Sequence, residues 1–541
     1  MNQPIPIPEK FNDICNDIEK GLIKIPQFQR DFVWSIKQSA QLIDSILKGY
    51  PIGTFIFWKT KEELRSIRNI GNLKLTEIPK GDFVKYILDG QQRITSIYAA
   101  IKGAFIEREN GKIEDFSKIY VDLNASEEDE TIVLTESDEI DLSSCIKLSE
   151  LYEGKLSLAK KFDEKYHEKI EKYSNNLKTY AFSTIHVQEA KIDEATEIFS
   201  RLNVGGKKLT VFEIMVAKTY CPEKEFDLCE KYENLINELE EVKYETIPDS
   251  TLLQSISVCL VKECTKKHIL KLDKKDFVNI YDNVENALKE CIDYFRSNFR
   301  IPVSQLLPYD GLIVPFTYFF FKNNCNKPNA IQEKYLIDYF WRVVLTSRFF
   351  SSLEQRIGQD IKKIDEILKS VKPTYEDVIN ISKSKIINDG YFTTTKGYIK
   401  GLLCILAYQM PLSFRDNAKI NIDNNCLKQA NSRNYHHFFP KAYLKKIGIE
   451  DFKINHIANI TMVDDFLNKR EIKDKAPSIY MQKYIDNNQQ IKETMKTHLI
   501  GDFDEYGITN DNYEKFFNKR IDAIICELKQ RVIPQEFDTI D

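Results

Sequence analysis

The sequence lacks a long apolar run. Its longest, such as residues 401–412, fall well short of the ~20 residues a helix needs to span a bilayer. It also lacks a Gly-x-x-x-x-Gly-Lys loop, which excludes a P-loop nucleotide site. None of its eleven cysteines forms a Cys-x-x-Cys pair, and their odd, scattered distribution predicts reduced, mostly buried thiols rather than a disulfide framework. Cys259, Cys264 and His268 loosely imitate zinc spacing, but no second pair completes the set. There is no excess of positive charge: the formal net charge is −5, so any nucleic-acid contact must be local. Residues 415–475 supply one such stretch, with twelve Lys/Arg against eight Asp/Glu. Internal repeats and low-complexity linkers are absent, and no targeting peptide precedes Phe11, so a cytoplasmic protein without membrane association is expected. Histidine is scarce, with seven in 541 residues, and two of the seven are adjacent.

At this length two or three domains are expected, each with its own core. The fold class read from the pattern is α+β. Residues 1–222 alternate helix and strand: a helix over 35–48 stopped at Gly49-Tyr50-Pro51, strands at 54–58 and 84–88, a helix following the latter at once, strands near 118–123, 131–134 and 179–187, and helices at 192–202 and from 211. Residues 223–400 read as a helical connector, with core helices at 312–321 and 335–350. Residues 401–541 end in an amphipathic helix over 512–531, with Phe516, Phe517, Ile521, Ile524 and Leu528 on one face.

The adjacent histidines stand in Tyr435-His436-His437-Phe438-Phe439-Pro440, with His456, Asn459 and Asn468 downstream. Two imidazoles side by side are costly to bury. They make chemical sense where one binds a metal and the other takes a proton from water. The spacing resembles the ββα-metal (HNH) nuclease motif. The resemblance implies that His437 is the general base, His436 a metal ligand, Asn459 the residue holding the base-bearing loop and Asn468 the second metal ligand. An amide oxygen at 468 favours Mg²⁺ or Mn²⁺ over Zn²⁺. Lys469, Arg470 and Lys473 could meet the phosphate backbone of DNA, and His456 reads as a packing or supporting residue, with a third metal ligand as the alternative.

A second constellation is Tyr86-Ile87-Leu88-Asp89-Gly90-Gln91-Gln92-Arg93, a strand running through Asp-Gly into a helix. Free backbone amides at the helix start suit a phosphate, and Gly90 permits close approach. Gln91 and Gln92 can orient a water or a base edge, Arg93 can clamp phosphate in bidentate fashion, and Asp89 can hold a cation. A bare Asp-Gly is by default a turn, but an upstream segment, residues 25–34, adds Gln29 and Arg30 in an aromatic frame of Phe28, Phe32 and Trp34. Together these residues resemble the ParB/sulfiredoxin-like fold in its Asp-Gly-Gln-Gln-Arg branch, which implies binding and hydrolysis of a nucleoside triphosphate (NTP). A third piece, residues 198–209, implies that Arg201 and Asn203 close over the nucleotide. A helix cap ending in an Asn turn is the plainer alternative for Asn203.

A ParB-like domain first and an HNH domain last resemble the GmrSD-type modification-dependent (type IV) restriction endonucleases. The resemblance covers roughly residues 20–220 and 400–541. It implies an NTP-dependent nuclease of phage defence, with a divalent metal and an NTP as cofactors and modified phage DNA as partner. Two alternatives stay open, a DNA-binding NTP-switch regulator whose nuclease domain is inactive and a toxin-like nickase. A homo-oligomer is open too.

Overall fold

The computed structural model describes residues 3–540 except 27–28, 30–31, 63, 67–68, 78–80, 109–110, 127–130, 137, 139, 155–157, 159, 189, 191, 203–209, 425–434 and 464–473, and except the side chains of 193, 196 and 200. It divides into two compact units, Met1–Leu228 and Cys229–Asp541.

The first unit is mixed α/β. Its described strands are β1 (Ile5–Lys10), β2 (Ile23–Lys24), β3 (Thr54–Thr60), β4 (Asn69–Ile70), β5 (Leu73–Lys74), β6 (Val84–Asp89), β7 (Phe105–Glu107), β8 (Ile113–Asp115), β9 (Ile119–Asp122), β10 (Val133–Thr135), β11 (Cys145–Lys147) and β12 (Ala181–Gln188). Its described helices are α1 (Phe11–Glu19), α2 (Ile36–Leu47), α3 (Gln91–Lys102), α4 (Leu148–Glu153), α5 (His167–Thr179), α6 (Ile192–Leu202) and α7 (Val211–Thr219).

The main sheet has the order β1-β12-β3-β6-β2. The β12–β3 and β2–β6 pairs are parallel and the β1–β12 and β3–β6 pairs antiparallel. Successive strand residues point to opposite faces. Phe55, Phe57 and Ile87 therefore enter a core shared with α1, α2 and α3, while Trp58, Tyr86 and Leu88 enter a second core with Ala195, Phe199 and Ala217 of α6 and α7. A strand covered on both faces reads as a continuous apolar run, as Tyr86-Ile87-Leu88 does.

At its end the β3–β6 ladder slips: Phe57 pairs with Ile87 but Ile56 with Asp89. This bulge turns β6 into the Asp89-Gly90 step. Gly90, at φ 95°, caps α3 with no side-chain acceptor, leaving the first helix amides unclaimed by a cap. A Cβ at this position would lie 2.3 Å from Phe55 Cδ1, so glycine is required sterically as well as conformationally. By contrast α2 and α7 begin in full capping boxes, Ser35 with Gln38 and Thr210 with Glu213, worth about 1 kcal/mol each.

Among the described residues the second unit is helical apart from one short hairpin. Helix Ile313–Lys322, buried from Ile313 through Phe320, packs against helices Asp249–Val261, Lys274–Ser297 and Leu353–Leu368. Helix Gly397–Tyr408 packs on helix Ala330–Leu345, where a Cβ on Gly401 would lie 2.2 Å from Val344 Cγ1. The helix expected over 335–350 differs in both bounds. It starts at Ala330, under a capping box of Asn329 and Gln332, and stops at Leu345. Ser347 then takes a left-handed φ of 52° and a short 3₁₀ turn follows at Arg348–Phe350. Periodicity in the apolar residues continues through that break, which is why the pattern alone does not reveal it. The terminal helix runs Tyr513–Lys529 and buries the expected face, Phe516, Phe517, Ile521, Ile524 and Leu528.

Candidate functional sites

The hairpin of the second unit consists of β13 (Tyr435–His437) and β14 (Ile460–Met462), antiparallel, with His436 opposite Thr461 and His437 opposite Ile460. Between them lie the Phe438-Phe439-Pro440 turn, helices Lys441–Lys446 and Asp451–Ile454, and a 3₁₀ turn at Ile457–Asn459. Phe438 stacks on Phe516, with ring centroids 4.8 Å apart, and Tyr480 Oη donates to the Phe438 carbonyl at 2.6 Å. The turn after the histidine pair is thus fastened to the terminal helix.

Asn459 is fully buried and closes the loop from inside. Its Oδ1 accepts from the Phe439 amide at 2.8 Å, and its Nδ2 donates to the carbonyls of Phe439 at 3.0 Å and Ile454 at 3.1 Å. Its own carbonyl accepts from the Phe438 amide at 2.8 Å. The side chain thus holds the segment following His437 against the end of the preceding helix.

His437 is half-buried, and its Nε2 lies 2.9 Å from Asn455 Oδ1. The orientation of the Asn455 amide is fixed from its other end, because Nδ2 donates to the Phe392 carbonyl at 3.1 Å. Oδ1 is therefore the acceptor, Nε2 of His437 carries the proton, and Nδ1 keeps its lone pair. Burial, aided by the nearby Lys441 ammonium and opposed by the Asn455 bond, lowers the His437 pKa to about 4. His436 is buried outright. Burial first, then the neighbouring His437 and His498, lowers its pKa to about 3, and its Nδ1 lies 3.4 Å from Thr461 Oγ1. Both rings are neutral at pH 7. His456, also buried, accepts from the Ala458 amide and faces the Ile386 carbonyl at 3.0 Å, with burial lowering its pKa to about 4. Its ring nitrogens are spent on the fold.

Neutral imidazole is the form that ligates a metal, so His436 has the right chemistry. Asn468, with Lys469, Arg470 and Lys473, lies outside the described residues. Among the described residues no cluster of three or more His, Cys, Asp or Glu is placed to hold a metal. Nothing in the sequence distinguishes Asn455 from neighbouring asparagines.

In the first unit the residues expected to hold a nucleotide occupy different settings. Arg93 is committed to the fold. Its Nη1 donates to the Ile52 carbonyl at 2.7 Å, and its Nη2 to the Thr54 carbonyl at 2.9 Å and to Asp89 Oδ2 at 3.1 Å. Its guanidinium lies over the Phe55 ring, 4.9 Å from the centroid. A Cβ on Gly53 would fall 2.4 Å from Arg93 Nη1, so the glycine makes room for this arrangement. The bidentate fork expected for a phosphate thus grips two main-chain carbonyls, and the cation that Asp89 holds is the Arg93 guanidinium. Arg201 is exposed and pairs with Glu197 at 2.7 Å on α6; Arg30 and Asn203 lie outside the described residues.

Of the three glutamines, Gln91 and Gln92 are bonded to each other. Gln29 Nε2 donates to the Ile87 carbonyl, Gln92 Oε1 accepts from the Val33 amide at 2.9 Å, and Gln92 Nε2 donates to Gln91 Oε1 at 2.7 Å. This leaves the Gln91 amide nitrogen turned out of that pair. Gln91 and Thr95, on the first turns of α3, line an open cavity of about 870 Å³ whose walls include Ile25, Phe32, Ile70 and Phe105. Thr95 is only 3% exposed and its Oγ1 meets no hydrogen-bond partner among the described residues. Arg108 secures one wall. It donates to the carbonyls of Phe32 at 2.5 Å and Trp34 at 2.6 Å and pairs with Glu114 at 2.5 Å. Neither Arg108 nor Glu114 carries a sequence signal, because each sits in a short hairpin with no motif around it. A mostly apolar chamber with a few convergent polar groups at a strand-to-helix junction is the usual form of a small-ligand site.

Residues 11–220 match the family described as GmrSD restriction endonuclease, N-terminal domain. Across nearly its whole length the chain is also similar to an uncharacterized protein of Methanocaldococcus jannaschii. The two are 23% identical over 596 aligned positions, covering 96% of this chain and 97% of that protein. The first match supports the GmrSD resemblance read from the sequence, for the first unit.

Proposed function

We propose that this protein is an NTP-dependent DNA endonuclease of phage defence that cuts foreign, modified DNA by metal-dependent phosphodiester hydrolysis. The observation carrying this reading is the match of residues 11–220 to the N-terminal domain of GmrSD restriction endonucleases. The hairpin of the second unit adds chemical support. There, a half-buried neutral imidazole is held in one tautomer at the end of a strand, beside a buried asparagine that locks the following loop.

In this account His437 Nδ1 removes a proton from the attacking water. Asn455 is a positioning residue: by accepting from Nε2 it keeps the lone pair on Nδ1 and aims the ring. Asn459 holds the backbone that carries His437. His436 and Asn468 would hold a divalent ion, Mg²⁺ or Mn²⁺, whose chemistry is neutralisation of charge on the phosphate. Lys469, Arg470 and Lys473 meet the strand's phosphates. In the first unit, the unclaimed amides at the start of α3 and the cavity bordered by Gln91 and Thr95 take the nucleoside triphosphate. Arg93 supports this site by fixing the start of β3 beneath it. Nucleotide turnover then licenses cutting.

Supercoiled plasmid and hypermodified phage DNA, incubated with Mg²⁺ or Mn²⁺ and with or without NTP, test the reading. Cutting of the modified DNA that requires both NTP and His437 is expected. Cutting that survives His437→Ala removes the base from this account, and DNA binding with NTP turnover but no cutting supports the regulator alternative instead.

A further inference from the structure

A second cavity, in the Cys229–Asp541 unit, has a volume of about 620 Å³. Three features of its lining bear on what it could bind. Tyr391 and Phe452 form an aromatic pair, ring centroids 5.7 Å apart and planes 33° apart, and both remain nearly two-fifths exposed, at 39% and 38%. Tyr398 also lines the cavity. It is only 9% exposed and its hydroxyl meets no hydrogen-bond partner among the described residues. Lys396, exposed on the rim, has no carboxylate partner among the described residues.

The two carboxylates of the lining are already paired, Asp377 with Arg348 at 2.6 Å and Asp389 with Lys385 at 2.5 Å. The open groups therefore include a stacking surface, a shielded hydroxyl and a cation, a combination that recognises a nucleobase and its phosphate. The chain ties this cavity to the hairpin. Tyr391 precedes Phe392, whose carbonyl accepts from Asn455 and whose ring lies against His437, centroids 6.4 Å apart. Phe452 sits on the short helix that ends just before Asn455.

We infer that this cavity receives one unpaired nucleotide of the DNA strand presented to His437. The base stacks on Tyr391 and Phe452, its edge bonds to Tyr398, and Lys396 meets the adjoining phosphate. Extruding a base from duplex DNA costs a few kcal/mol, least where the base is already unpaired or altered. The cavity thereby favours DNA that opens easily. This inference rests on the nuclease reading for its choice of strand, but its test does not depend on cutting.

The test is fluorescence anisotropy of the full-length protein with a labelled single-stranded oligonucleotide in EDTA, where no metal-dependent cleavage occurs. The Phe452→Ala variant should raise Kd about tenfold through loss of stacking. Tyr398→Phe, which removes one oxygen and leaves the ring packing intact, should raise it several-fold. A duplex with a one-nucleotide bulge should bind more tightly than its fully paired counterpart, and the preference should vanish in Phe452→Ala. Wild-type affinity in both variants, or no binding of single strands by the wild type, overturns the inference. Equal variant effects on a free mononucleotide, with none on the oligonucleotide, overturn the strand assignment and make this an effector site. Oligonucleotide binding that depends on Phe452 in a protein that cuts no DNA upholds the cavity and refutes the nuclease.

Discussion

Replacing Asn455 with alanine isolates the contribution of imidazole positioning. The side chain makes two described bonds, accepting from His437 Nε2 at 2.9 Å and donating to the Phe392 carbonyl at 3.1 Å. A neutral hydrogen bond contributes about 1 kcal/mol net, so two partly exposed bonds cost at most about 2 kcal/mol of stability, and the unit should stay folded. For catalysis the same ~1 kcal/mol sets the preference for the Nε2–H tautomer, a factor of about five to ten. Looser aim of the ring adds to this. The cutting rate at saturating metal and DNA should therefore fall at least about tenfold, with KM nearly unchanged, since Asn455 is not placed as a DNA contact. Single-turnover plasmid cleavage measures the rate. Histidine-selective ¹⁵N spectra, assigned with His437→Ala, measure the tautomer and should show it redistributed in Asn455→Ala. A folded Asn455→Ala protein that cuts at the wild-type rate, or whose His437 tautomer is unchanged, rules out the positioning role of Asn455.

Asn459→Ala should act through stability first. It strands the Phe439 amide and two carbonyls in the interior, at about 1–3 kcal/mol each, so urea titration should show a loss of about 3 kcal/mol or more; an unchanged midpoint contradicts the loop-holding role. Thr95→Val removes a buried hydroxyl that has no partner among the described residues. Stability should hold or rise by up to about 1 kcal/mol while nucleotide affinity, read by calorimetry, falls; retained affinity removes Thr95 from the site. His456 and His498 have pKa values lowered by burial from 6.5 to about 4. In the unfolded chain each takes a proton as pH drops below about 6.5, and in the folded chain neither does until about 4. Stability attached to them is complete above pH 6.5 and lost as pH falls, by about 2 kcal/mol per ring at pH 5. Urea midpoints at pH 7 and 5 should show this drop, reduced in His456→Gln; equal drops in both proteins exclude His456 as a source.

The strand–glycine–helix at 84–102 is legible because its parts carry local signals: an apolar run covered on both faces, then a glycine at a position no other residue fills, then a helical period. The histidine hairpin is legible for a similar reason, since Asn459 reaches back only to Ile454 and Phe439. What is not legible depends on contacts remote in the chain. Arg93 beside a helix start reads as an anion clamp until Gly53 and the Ile52 and Thr54 carbonyls are seen to receive it. Arg108 becomes a wall of the cavity only by reaching Phe32 and Trp34 across more than seventy residues. The orientation of Asn455 is set by Phe392, 63 residues away in the chain. The second cavity likewise gathers Tyr391, Tyr398 and Phe452 from separate segments, with no motif around any of them.

The most direct measurement compares wild type and His437→Ala on modified and unmodified DNA, with Mn²⁺ and NTP supplied. The wild type should cut the modified DNA, and the variant should lose at least about a hundredfold of that activity, the scale of a general base. Equal cutting by both proteins, or intact DNA of every kind with the wild type, would contradict the nuclease reading built on His437.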